Sequence, residues 1–216
     1  MTTEALYKLF WYMLEASGVT VQIFFFTLLI GLPLGLLVAV GRMSKWVIIR
    51  EPIKLYLLIM RGTPLILQLM FFYFAPAYIF GVTLSRINAA ILAFTLNYAA
   101  YFCEIYRSGI ESIPAGQWEA GTILGFTKTQ TFFKIILPQV IKRVLPPMGS
   151  EFMVLIKDTA LANVIGVAEM YQMATNNMSR TASILPLIMA GIFYLVMNSV
   201  VSKGFSIMEK RLDYYN

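Results

Sequence analysis

ASGVTVQIFFFTLLIGLPLGLLVAVG, residues 16–41, runs for 26 residues without one Asp, Glu, Lys or Arg. A tilted helix needs about 17–25 apolar residues to cross roughly 30 Å of hydrocarbon, so this run is long enough to span a bilayer. Three more uncharged runs follow: 24 residues at 62–85, 17 at 87–103 and 22 at 181–202. A fifth candidate, at 144–168, is interrupted by Glu151, Lys157 and Asp158. Of the 216 residues 59% are hydrophobic and 13% charged, and the mean hydropathy is +0.73. A soluble domain so composed would have too little polar surface to cover itself. The sequence reads as an all-α polytopic membrane protein with five transmembrane helices, a single transmembrane domain over residues 1–216.

Much chemistry is excluded. There is no histidine, and the one cysteine, Cys103, lies inside an apolar run, so no disulfide framework, zinc spacing or hydrolytic triad is available. No phosphate-binding loop or dinucleotide fingerprint occurs, so ATP is not bound by any motif in this chain, and no metal site is expected. Glu4, Lys8 and Glu15 precede the first run without a small-residue cleavage pattern, which reads as a retained first span.

The net charge of +6 is distributed as orientation signals are, since Lys and Arg in short loops stay cytoplasmic. Arg42, Lys45, Arg50 and Lys54 follow the first span. Arg107, Lys128, Lys134, Lys142 and Arg143 follow the third, and Lys203, Lys210 and Arg211 follow the fifth. Only Lys8, Arg86 and Arg180 fall on the other side. Twelve against three places the N-terminus outside and the C-terminus in the cytoplasm. Nothing accompanies these charges that would read nucleic acid.

Gly31 and Gly35 in span one are four apart, as in a helix-packing motif, although chance explains the match equally well. Span two is read from Arg61, RGTPLILQLMFFYF, to about Phe80. Thr63 and Pro64 break it at membrane depth, where freed backbone groups need protein or a wet cavity. In span three Asn97, Tyr101 and Glu104 share a face, either lining a cavity or bonding to neighbouring helices. Residues 111–138 form the longest polar stretch, with Pro114 and Gly116 breaking the chain and 117–124 reading as a short helix ended by Gly125. That helix suits a soluble partner or the lipid interface. Span four is expected after Pro146 and Pro147. Glu151 and Asp158 lie two turns apart on one face, with Lys157 elsewhere. Intramembrane charges mark a pathway or a buried pair, here Lys157 with Asp158 or Asp158 with Arg61.

Within the polar stretch, Glu119-Ala120-Gly121, three residues, Gly125, nine residues and Ile135-Ile136-Leu137-Pro138 resemble the EAA loop of ABC importer permeases. The one departure is Gly121 in place of the second Ala. RGTPLILQ from Arg61, YRSGIESIPAGQWEA from Tyr106, ILPQVIKRVLPP from Ile136 and KDTALANVIGVAEM from Lys157 resemble the polar amino-acid branch of that family. The resemblance implies a type I importer permease in a bacterial plasma membrane. Its partners would be a second copy or close paralogue, two cytoplasmic ATPase subunits that bind the ATP and magnesium, and an extracytoplasmic binding protein delivering an amino acid. It implies that Gly116, Glu119, Ala120, Gly125 and Pro138 couple the chain to the ATPase, and that the permease itself needs no cofactor.

Glu151 bears on the substrate. In this branch the resemblance leads one to expect a neutral Asn there, and a carboxylate in a low-dielectric pocket attracts a cation far more strongly than in water. A basic amino acid, arginine, lysine or histidine, is expected, with Glu151 meeting the side-chain charge and Asn97, Tyr98 and Gln68 meeting its amino and carboxylate groups. Glutamine or glutamate is the nearest competing substrate class. A membrane scaffold recruiting a cytosolic protein and an ungated channel are the competing functions of other kinds.

Overall fold

The computed structural model describes residues 3–212, and every regular element among them is helical. Helix α1 (Thr3–Arg42) is followed by α2 (Val47–Gly62), α3 (Leu65–Phe80) and α4 (Arg86–Glu111). Then come α5 (Ala115–Ile123), α6 (Lys128–Thr131), a π-helical turn (Phe132–Ile136) and α7 (Leu137–Asp158). A 3₁₀ segment (Thr159–Ile165), α8 (Met170–Thr181) and α9 (Leu185–Arg211) complete the chain.

The core is built on α1 and α4. Lipid tails are as apolar as leucine, so helices in a membrane associate through close packing. A Cβ at Gly35 would lie 2.8 Å from Cβ of Phe102 and 3.0 Å from the carbonyl of Ala99, so this glycine lets the two backbones approach. At Gly31 the same atom would meet Phe102 at an ordinary 3.6 Å. Around that contact Phe94, Tyr98 and Phe102 are fully buried with Ile23, Leu69 and Leu155.

Three of the expected spans are long apolar helices: α1, α4 and α9. Two expectations need correction. Span two does not begin at Arg61. α2 and α3 qualify together, bent by 111° at Thr63-Pro64, and Arg50 and Lys54, expected in a loop, lie on α2. Span four does not begin after Pro147. α7 starts at Leu137 and runs through Pro138, Pro146 and Pro147. The π-helical turn just before Pro138 widens the helix where a proline ring would otherwise press on the preceding turn. At 22 residues α7 is about 33 Å long, yet its charges keep it from qualifying as a span by apolarity. By length and apolarity there are thus three spans, or four with the bent pair, among the described residues, and the count of five is not reached.

Candidate functional site

The site grows out of the break in the second span. Pro64 has no N–H, so the helical bond to the carbonyl of Met60 cannot form. Two amides from outside α2 replace it: Gln68 Nε2 donates to Met60 O at 3.0 Å and Asn97 Nδ2 donates to the same oxygen at 2.9 Å. Gln68 Nε2 also reaches Thr63 O and Thr63 Oγ1, while Gln68 Oε1 accepts from Asn97 Nδ2 at 2.9 Å. Both side chains are buried. Gln68 therefore locks the break from within the protein and does not line the cavity beside it, contrary to its expected substrate contact.

That cavity, about 170 Å³, is lined by Thr63, Leu65, Asn97, Tyr98, Tyr101, Glu151, Val154 and Asp158. α4 supplies Asn97, Tyr98 and Tyr101 from one face, and α7 supplies Glu151 and Asp158 from positions two turns apart. The structure thus brings together three of the four expected substrate residues and adds Asp158. The Tyr98 hydroxyl, buried, donates to Asp158 Oδ2 at 2.8 Å. Glu151 makes no hydrogen bond or ion pair among the described residues, though it feels the charges of Asp158 and Arg61. Two carboxylates face this cavity and no cation lines it. Such a lining suits a bound positive charge.

The expected charge network of Arg61, Lys157 and Asp158 is not assembled. Arg61 lies 3.7 Å from Glu104 and over the Tyr101 ring, 5.5 Å from its centroid. Glu104 has a closer partner in Arg107 at 2.7 Å, and Arg107 also pairs with Glu111. Lys157 is exposed on another face of α7, in a groove shared with Tyr194 and Asn198 of α9. One turn of α4 decides this: Glu104 stands nearer Arg61 than Asp158 does, and Tyr98 already occupies Asp158.

The polar loop folds as two short helices. Pro114 is the N-cap of α5, on which Gly116, Glu119 and Ala120 are exposed. Gly125 turns the chain at φ +75°, which a residue with a Cβ rarely adopts. Thr127 and Gln130 then form a reciprocal capping box. Trp118 stacks on Phe132 behind the loop, whereas Ile123 (85% exposed) and Leu124 (66%) project from its tip. Gln139 of α7 donates to Gln117 of α5 at 3.1 Å, tying the loop to the long helix. Pro138 lies within the first turn of α7.

Sequence reasoning missed Glu169. Its carboxylate is fully buried, accepts from the backbone N–H of Tyr171 and Gln172 at 2.7 Å each, and accepts from the Tyr194 hydroxyl at 3.0 Å. It caps α8 and joins it to α9. Burial pushes its carboxyl above the ordinary range, against the lowering effect of those hydrogen bonds. An acid directly before a helix is a capping signal, but nothing in the sequence showed that Tyr194 would meet it.

The family described as "Binding-protein-dependent transport system inner membrane component" matches residues 31–214. The chain is 37% identical over 214 residues to "Probable amino-acid ABC transporter permease protein YckA" of Bacillus subtilis (strain 168), covering 99% of this chain and 94% of that one. It is 39% identical over 199 residues to "L-cystine transport system permease protein TcyB" of the same organism, covering 91% and 84%. Relatives at 32% and 33% identity, each matched over 93% of this chain, are named as a putative glutamine permease of Rickettsia typhi and an arginine permease of Bacillus subtilis. Among solved structures, "Crystal structure of an amino acid ABC transporter with histidines" superposes with TM-score 0.89 at 32% identity, covering 98% of this chain and 99% of that one.

Proposed function

This chain belongs to the family of binding-protein-dependent transport system inner membrane components, and on that premise we propose that it forms the pathway of an importer for basic amino acids: arginine, lysine or histidine. It is the permease subunit of an amino-acid ABC importer, a multi-pass inner-membrane protein without enzymatic activity, and the ATPase is a separate subunit. The observation that carries the choice of substrate is the cavity with two carboxylates, Glu151 and Asp158, and no lining cation. The cationic side chain sits against Glu151, the carboxylate without a protein partner, while Tyr98 orients Asp158 beside it.

The N-terminus lies outside and the C-terminus inside, with α7 as the fourth of five spans and its Glu151 and Asp158 turned to the cavity. Two copies, or this chain with a paralogue, pair in the membrane. Each seats α5 in a groove of one ATPase subunit, using Gly116, Glu119 and Ala120, with Gly125 and Pro138 setting the turn and the return to the membrane. A binding protein delivers the amino acid from outside. ATP and magnesium bound by the ATPase supply the energy.

ATP-dependent uptake of labelled L-arginine by proteoliposomes of the full complex tests the substrate. Glu151→Gln is expected to reduce arginine uptake about ten-fold or more, the loss of a charge-assisted contact in a partly buried site. Unchanged uptake and unchanged ATPase stimulation refute the basic-substrate reading, and transport of L-glutamine in its place would establish the competing one.

A further inference from the structure

Every amino acid brings a carboxylate as well as its side chain, and the cavity at Glu151 offers it little. Both protons of Asn97 Nδ2 are given to Met60 O and Gln68 Oε1. The Tyr98 hydroxyl is given to Asp158, and the Thr63 hydroxyl to Ile59 O. Among the lining side chains described, only the Tyr101 hydroxyl keeps an uncommitted proton. A carboxylate placed among Glu151 and Asp158 would meet acceptors and like charge.

Tyr101 also lines a second cavity, about 450 Å³, whose walls carry Arg42, Lys54, Arg61 and Glu104. The ring is therefore the partition between an acidic chamber and a basic one. Arg61 lies over that ring, its side chain is 43% exposed, and its contact with Glu104 at 3.7 Å is longer than a hydrogen bond. Glu104 keeps Arg107 if Arg61 turns away. Leu65 opens α3 at the acidic chamber, and the first turn of a helix also favours an anion.

We propose that Arg61 binds the α-carboxylate of the transported amino acid across Tyr101, so that the substrate bridges the basic cavity and the acidic one. The guanidinium fork matches a carboxylate with two parallel hydrogen bonds, a geometry lysine does not offer. This rests on the amino-acid substrate of the preceding reading but not on its basic side chain, because the carboxylate is common to the class.

Equilibrium binding to the purified permease–ATPase complex, without binding protein, separates the two. The probes are L-arginine and agmatine, which is arginine without its carboxylate. The wild-type complex is expected to bind arginine about ten-fold tighter than agmatine. Arg61→Gln should weaken arginine by about that factor and leave agmatine within two-fold, whereas Glu104→Gln should preserve the discrimination. Arg61→Lys retains a charge for Glu104 and carries the test if the Gln variant does not assemble. Equal weakening of both ligands, or equal binding by wild type, overturns the proposal. If wild type binds L-glutamine and not arginine, the basic-substrate reading fails and L-glutamine against its decarboxylated amine judges Arg61 in the same way. A wild-type complex that binds no amino acid overturns both.

Discussion

Gly121 of α5 packs directly onto Thr131 at the end of α6: a Cβ built at 121 would lie 2.4 Å from Thr131 Cγ2 and 3.0 Å from Thr131 Cβ. Both residues are buried, and the Thr131 hydroxyl donates to Thr127 O. The departure from the Glu-Ala-Ala pattern thus has a reason inside the loop, because a β-branched residue in a helix cannot swing aside.

Gly121→Ala, which would restore the family pattern, is expected to destabilise the loop by about 1–3 kcal/mol through overpacking. Thr131→Ala in the same chain should recover part of that loss, giving a coupling of about 1 kcal/mol in a double-mutant cycle of thermal melts. Strict additivity would show that the two residues do not constrain each other.

The lock at the helix break gives a second prediction. Gln68→Glu replaces a donor facing the carbonyls of Met60 and Thr63 with an acceptor. A loss of about 2–4 kcal/mol in the complex's stability is expected, larger than for Gln68→Leu. If Gln68 instead touched substrate, the change would appear in KM with the melting temperature unmoved.

Glu169→Ala leaves two N–H groups of α8 and the Tyr194 hydroxyl without their acceptor, at about 2–3 kcal/mol, measured as a lower melting temperature. The pH dependence follows from the raised carboxyl. A folded state that holds this proton more tightly than the unfolded chain is favoured at low pH. Relative to Glu169→Gln, the wild-type protein should lose stability as pH rises above about 4 and level off once the raised value is passed. A parallel pair of melting curves across that range would contradict this.

Ile123 and Leu124 project from the tip of the polar loop with most of their surface uncovered. Changing both to Ser should leave the permease's own stability within about 0.5 kcal/mol of wild type and abolish substrate-stimulated ATP hydrolysis by the complex. Retained stimulation would mean that the tip is not in the contact.

The parts legible in the sequence were those with a period or a fixed spacing. Uncharged runs found α1, α4 and α9, and the loop spacing found α5 and the left-handed turn at Gly125. Thr63-Pro64 announced the broken helix, but Gln68 one turn on reads equally as a ligand or as a lock until the position of Met60 O is known. The three prolines of α7 looked like breaks because the widened turn at Phe132–Ile136 that precedes Pro138 has no residue signature. Arg61 found its partner through the rotation of α4, a tertiary fact, and so did Glu169 through the approach of Tyr194.

From Lys128 to Asp158 the chain is helical without a gap, about 46 Å along the helix from the polar loop to the cavity. The loop's Thr127 cap and the two acids of the cavity thus bound one continuous backbone. Coupling free energy between two sites is reciprocal. In the proposed complex, whatever factor by which an occupied cavity changes the grip of the loop on an ATPase subunit, that grip changes the affinity of the cavity by the same factor. In that complex the shared helix makes the cargo an effector of the motor as much as the motor is of the cargo.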